Sequence, residues 1–205
     1  PATATKAGGL PKLYKISAEP VSGAAAFARD GTEYVRFVLL ETGHIYEYGA
    51  TTTKTIRLSN TTAPAIKEVL WSDNGDSLVV RYLDENDVIK TYLGNIFYPK
   101  KDAAPGEASG EFFGAFLEDN IREIAISPSR EKFFYIRESA GQTAGVVSGF
   151  QNKKKETSPG FLFSEWLVAW PKNDTLVLTT KPSARVEGFS YSYALATFVF
   201  KRLIG

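Results

Sequence analysis

Short apolar runs recur along this chain with polar residues between them at a period of two, and clusters of Asn, Asp, Gly or Ser cut each run. The pattern is clearest after Val69-Leu70-Trp71. There Ser72-Asp73-Asn74-Gly75-Asp76 interrupts the run, and Leu78, Val80 and Tyr82 then alternate with Val79, Arg81 and Leu83. Such alternation puts one set of side chains on each face of a strand, and Asn-Gly between two such runs predicts a hairpin. A second polar turn, Asp84-Glu85-Asn86-Asp87, leads into another apolar run over 88–93. The unit is a meander of antiparallel strands. No segment carries an apolar stripe at helical spacing, so the chain is expected to be all-β with almost no helix.

The unit repeats. Phe27-Ala28-Arg29-Asp30-Gly31-Thr32, Trp71-Ser72-Asp73-Asn74-Gly75-Asp76, Ile126-Ser127-Pro128-Ser129-Arg130-Glu131 and Trp170-Pro171-Lys172-Asn173-Asp174-Thr175 each close an apolar run and open a turn. Their first residues are 44, 55 and 44 residues apart. The middle interval holds a Pro/Gly/Ala-rich stretch at 99–109, read as a surface loop inserted into a repeat of about 44 residues, the length of a four-stranded propeller blade. The register assigns blades to about 18–60, 61–118, 119–164 and 165–205. Strands are expected at 23–27, 34–40, 44–49 and 53–58; 67–71, 78–83, 88–93 and 111–117; 121–126, 133–137, 145–150 and near 161; and 166–170, 175–180, 189–194 and 197–203. A lone outer strand is expected at 12–17. Trp71, Leu78, Val80, Ile124, Ile126, Trp170 and Leu176 are expected in the sheet interfaces.

The strand-ending Trp71-Ser72-Asp73-Asn74-Gly75-Asp76 and Trp170-Pro171-Lys172-Asn173-Asp174-Thr175, with Phe27-Ala28-Arg29-Asp30-Gly31-Thr32 as a looser copy, resemble the strand-turn signature of TolB-type, WD40-like propeller blades. The run Ile56-Arg57-Leu58-Ser59-Asn60-Thr61-Thr62 ahead of a Trp-ended strand also resembles exported propeller-like proteins of bacteria. The resemblance covers about residues 12–203. It implies a propeller-like array of four antiparallel four-stranded blades, and it specifies fold rather than activity. The third copy departs from it, with Ile126 for Trp and Pro128-Ser129-Arg130 for the Asp-Gly turn. Propellers carry roughly four to eight blades, so an incomplete or partner-completed ring is expected. In a closed ring, 12–17 would pair with 197–203. In an open one, Thr197-Phe198-Val199-Phe200 presents an apolar edge fit for self-association or for a protein partner's strand.

Composition narrows the chemistry. Lys and Arg number 24 against 23 Asp and Glu, so no bulk charge draws the chain to nucleic acid or an anionic membrane. There is no Cys, which excludes disulfides, thiolate metal sites and a Cys nucleophile. The chain starts at Pro1 and contains no Met, and so reads as a processed product or an excised domain. Residues 1–9, small and Gly-ended, are expected to be a flexible tether of the kind left when a signal peptide or membrane anchor is removed. Together with the missing Cys, this points outside the cytoplasm, to a secreted, periplasmic or cell-surface location.

Candidate catalytic residues are few. His44 sits in a Thr42-Gly43-His44 turn without a nucleophile motif. Asp73, Asp76, Asp84, Glu85 and Asp87 lack the order of a Ca²⁺ loop and are explained by turn chemistry. Lys153-Lys154-Lys155 reads as a solvated loop, and Asn60-Thr61-Thr62 and Asn173-Asp174-Thr175 match the short glycosylation acceptor pattern. Phe112, Phe113, Phe116, Phe133, Phe134, Tyr135, Tyr191, Tyr193, Phe198 and Phe200 are expected as wedges between sheets. No catalytic residue, metal site or cofactor is expected. One pattern remains. Lys67-Glu68 precedes Trp71 at the offset at which Arg122-Glu123 precedes Ile126, so Glu68 and Glu123 would sit at one level around the axis with Lys67 and Arg122 on the alternate face, as salt bridges between blades or as a polar axial site for a small cation or ligand. The expected function is a non-catalytic binding or scaffold domain. The alternative is the propeller of a carbohydrate- or peptide-processing enzyme, with acidic axial residues or a catalytic part outside this chain.

Overall fold

A computed structural model describes residues 13, 15–63, 65–98, 107–139, 142–151, 155–161, 165–182 and 187–204. Sixteen strands make up the described structure, with no helix among them. The first sheet is β1 (Val21–Arg29), β2 (Thr32–Leu39), β3 (Ile45–Gly49) and β4 (Lys54–Arg57). The second is β5 (Ile66–Trp71), β6 (Ser77–Leu83), β7 (Ile89–Phe97) and β8 (Glu111–Phe116). The third is β9 (Ile124–Ile126), β10 (Lys132–Ser139), β11 (Gln142–Gly149) and β12 (Lys155–Phe161). The fourth is β13 (Trp166–Lys172), β14 (Thr175–Thr180), β15 (Ser190–Ala194) and β16 (Val199–Ile204). Each sheet is an antiparallel meander whose strands pair in chain order. The architecture is a propeller-like array of four four-stranded blades.

Turn chemistry explains the hairpins. Asp30 (φ 51°) and Gly31 (φ 72°) join the paired residues Arg29 and Thr32, a two-residue turn of the kind whose twist suits a hairpin. Gly75 (φ 70°) turns β5 into β6, and the Phe27 ring of the first blade packs onto it; an added Cβ would meet that ring at 2.8 Å.

Three apolar cores fill the gaps between successive blades. Ala25, Val38 and Ile45 meet Trp71, Leu78, Val80 and Phe112 in the first, and Val79 and Leu93 meet Ile124, Phe133, Tyr135 and Phe150 in the second. Phe134, Ile136 and Val147 meet Trp166, Trp170, Leu176, Leu178 and Tyr193 in the third. Opposed residues of an antiparallel pair share a face, so each blade has a front, turned to the next blade in sequence, and a back, turned to the previous one. Of the expected core, Ile126 is only half-buried, and the others are buried. The blades approach most closely at their first strands, β1 beside β5 and β9 beside β13.

Among the described residues the ring is open: β16 pairs only with β15, and Leu13, Lys15, Ile16 and Ser17 form no strand. The expected strand at 12–17 is therefore corrected for its described residues; 12 and 14 lie outside them. Ile16 instead packs on Phe37, Leu39 and Tyr48 at the back of the first blade. Residues 1–9, positions 99–106 of the expected insertion, Lys153 and Lys154 also lie outside the described residues.

Candidate functional site

Of the four axial candidates, Lys67 and Glu68 lie at the start of β5, and Arg122 and Glu123 immediately precede β9. A register shift between Ile66 and Glu68 leaves Lys67 exposed and turns Glu68 towards Arg81 on β6. Arg81, with a side chain only 12% exposed, ion-pairs with Glu68, and its other terminal nitrogen donates to the carbonyls of Ile121 and, at 3.0 Å, Arg122. The second blade is thus tied to the third. Arg122 reaches Glu165 at 3.5 Å and Lys181 reaches Glu123 at 3.3 Å, which ties the third to the fourth.

Arg122 and Glu123 thus make lateral links, whereas Glu68 is paired with Arg81 of its own blade and Lys67 is exposed, so the four do not form one convergent cluster. Lys67 and Glu68 line an open cavity of about 460 Å³ with Arg81, Tyr82, Leu83 and Ile89. The Arg122–Glu165 pair is well exposed on both sides, the type of contact that contributes about 0–1 kcal/mol. Sequence reading missed Arg81, although a lone cation inside the apolar run Val79-Val80-Arg81-Tyr82 was a signal that it needs a partner.

A second polar group joins the first two blades near their turns. Glu47, 4% exposed, accepts hydrogen bonds from Arg36 Nε (2.8 Å), Arg29 Nη2 (3.0 Å) and Tyr98 Oη (3.0 Å). Arg36 is fully buried and donates through Nη1 to the Gly75 carbonyl at 2.6 Å and to Asp76 Oδ1 at 2.7 Å, both on the second blade. Its guanidinium lies 4.8 Å from the Phe27 ring centroid and 5.2 Å from that of Tyr98. Farther round the turn end, the Asp73 amide donates to the Arg130 carbonyl at 3.3 Å, and the Ser129 amide to Asn173 Oδ1 at 3.2 Å. Between the turns of the second and third blades lies a cavity of about 330 Å³ lined by Ser72, Asn74, Arg130, Lys132 and Phe150.

The remaining candidates behave as turn residues. Asp84 Oδ1 accepts from the Asn86 and Val88 amides at 2.9 Å each, and these backbone donors hold its carboxyl below the usual carboxylate range. Among the described residues no three of His, Asp and Glu gather where they could hold a metal ion. Partial burial, then the charge of Arg57, push the His44 imidazole below its ordinary value, with Glu19 opposing. The folded state therefore takes up this proton less readily than the unfolded chain. Its cost to stability is absent above the ordinary His value of about 6.5 and appears as pH falls through it. As the chain's single His, His44 should show one imidazole titration by proton NMR with a midpoint below that value, and His44→Gln should flatten the slope of stability against pH in the same window. A midpoint above the ordinary value would contradict this placement.

No protein-family model and no curated protein matches the sequence. Among solved structures the chain is similar to the β-propeller domain of Cps50 (Swd1) from Myceliophteria thermophila. The two are 12% identical with a TM-score of 0.49, over 84% of this chain and 52% of that one. It is also similar to a chain of a nidogen/laminin complex, with 8% identity and a TM-score of 0.45, over 84% of this chain and 59% of that one. The chain thus spans little more than half the length of either.

Proposed function

We propose that this chain is a non-catalytic binding or scaffold module that works outside the cytoplasm and grips a protein partner at the open end of its blade array. One observation carries the reading. The fronts of the first three blades are covered by the next blade, whereas the front and outer edge of the fourth leave Leu167, Val199, Leu203 and Ile204 between 46% and 74% exposed. Uncovered apolar sheet of this kind marks an interaction surface. The absence of Cys and the small-residue stretch at 1–9 support the location. Of the expected axial residues, Lys67 and Glu68, which line the open cavity beside Arg81, contact a small polar ligand in the same module, while Arg122 and Glu123 tie the third blade to the fourth.

A photo-reactive phenylalanine analogue at position 167 tests the contact surface, with the same group at the exposed turn residue Asp30 as control. A discrete adduct from 167 in the exported fraction, and none from 30, is expected. No adduct from 167, or an equal yield from both positions, would overturn the contact surface, and adducts confined to the cytoplasm would overturn the location.

A further inference from the structure

Two cavities flank the turn end of the third blade. One, of about 330 Å³, lies towards the second blade, and the other, of about 230 Å³, towards the fourth. Lys132 and Val147 border both, so the two are lobes of one groove that crosses the third blade. Its walls stand where the second blade faces the third and the third faces the fourth. The lobe beside the fourth blade is largely apolar, walled by Val147, Trp170, Leu195, Ala196 and Phe198.

Backbone contacts hold these walls. The Ser129 amide ties the third blade to Asn173 of the fourth, and the Leu195 and Phe198 amides donate to the carbonyls of Asp174 at 3.0 Å and Ala194 at 2.8 Å. Phe198 is held at φ 57°, a left-handed backbone that a bulky residue rarely adopts. It is 43% exposed, with its ring 6.4 Å from that of Tyr193 in the core between the third and fourth blades. Such strain persists only where the surroundings fix it, and it gathers at ligand clamps. Arg130, on the other lobe, is left-handed as well, at φ 54°.

Charge sets the polarity of what fits. Lys132 is the one charged residue among the described walls that borders both lobes. Among the described residues, its ammonium and the Arg130 guanidinium have no partner. Asp73 and Glu131 border only the first lobe, and Asp174 only the second, where it accepts the Thr175 hydroxyl at 2.9 Å. A chain crossing from lobe to lobe therefore passes an unpaired cation. Trp170 adds a further unsatisfied donor, since its buried Nε1 has no partner among the described residues.

We infer that an extended, acidic segment of a protein partner lies in this groove, with a large apolar side chain in the lobe beside the fourth blade and a carboxylate at Lys132. Alternate residues of an extended chain point to the same side about 7 Å apart, so an acid two positions from the apolar residue faces the groove with it. This surface is separate from the exposed face of the fourth blade, and the two are tested by different measurements.

Fluorescence anisotropy of the full chain with three short labelled peptides tests the groove. Each carries a phenylalanine with aspartate, serine or lysine two positions to either side. The aspartate peptide should bind one per chain, the serine peptide about tenfold more weakly, as expected for the loss of a charge-assisted contact, and the lysine peptide more weakly still. Lys132→Glu should weaken the aspartate peptide by about tenfold or more. Phe198→Gly should weaken all three while leaving the melting temperature unchanged or raised, because glycine takes this φ without strain. Lys54→Glu, the same change of charge at an exposed position of the first blade, should leave binding unaltered.

No binding of the aspartate peptide, equal affinity for all three, unchanged affinity in Phe198→Gly, or equal effects of Lys54→Glu and Lys132→Glu would overturn the groove. Tighter binding of the lysine peptide would hand the site to Asp73 and Glu131 and overturn the acidic partner. A chain that binds none of the peptides yet gives the adduct from position 167 would sink this groove alone and leave the open-end contact standing.

Discussion

Arg36→Met should lower the stability of the folded chain by about 3–5 kcal/mol, the usual cost of removing one partner from a buried charge pair. Arg36 is fully buried and joins Glu47 on its own blade to the Gly75 carbonyl and Asp76 on the next. Without it, the buried Glu47 carboxylate keeps only Arg29, itself 37% exposed, and the Tyr98 hydroxyl. The Gly75 carbonyl loses its guanidinium donor. Replacing both Arg36 and Glu47 by Met should recover most of the loss, because exchanging a whole buried pair for apolar volume is often close to neutral. Urea denaturation of the wild type, the single variant and the double variant measures all three. A single-variant loss under about 1 kcal/mol would place the pair among ordinary surface contacts and contradict its burial.

The other large effect belongs to Trp71. Its side chain is 4% exposed in the core between the first and second blades, so Trp71→Ala should cost about 3–5 kcal/mol through lost burial and the cavity left behind. The indole Nε1 is buried and has no hydrogen-bond partner among the described residues. The stabilisation therefore comes from packing volume. Trp71→Phe, which keeps most of that volume and loses no hydrogen bond, should cost about 1–2 kcal/mol. Equal losses for Ala and Phe in the same denaturation series would show that the indole nitrogen matters after all.

Where chain neighbours decide a feature, the sequence was a good guide. The Asp30-Gly31 and Asn74-Gly75 turns form where the residues call for them, because a left-handed backbone is a property of the residue itself. Departures arise where a distant group takes over. The second-blade strand expected to stop at residue 93 runs on to Phe97, because Gly94, Asn95 and Ile96 have ladder partners in Gly114, Phe113 and Phe112. The third blade's first strand shrinks to Ile124–Ile126, because the carbonyls of Ile121 and Arg122 are taken by Arg81 of the second blade.

Taken alone, the sequence determined the strand period, the turns, the blade length and the fourfold repetition, since each is a local pattern that survives without knowledge of its neighbours. It also placed Lys67, Glu68, Arg122 and Glu123 at matching points of the repeat. Only the tertiary structure decided what those points do. Glu68 answers to Arg81, its register partner on the neighbouring strand, while Arg122 answers to Glu165 and Glu123 to Lys181 because a charge pairs with whichever opposite charge the stacking of blades brings within reach. The Arg36–Glu47–Asp76 group was hidden for the same reason, as its members lie on two blades and 11 and 40 residues apart. The open end was likewise settled in three dimensions. An apolar residue such as Val177 reads the same in sequence whether the next sheet covers it or not, and only the arrangement of blades leaves it half-exposed while Val79 is buried.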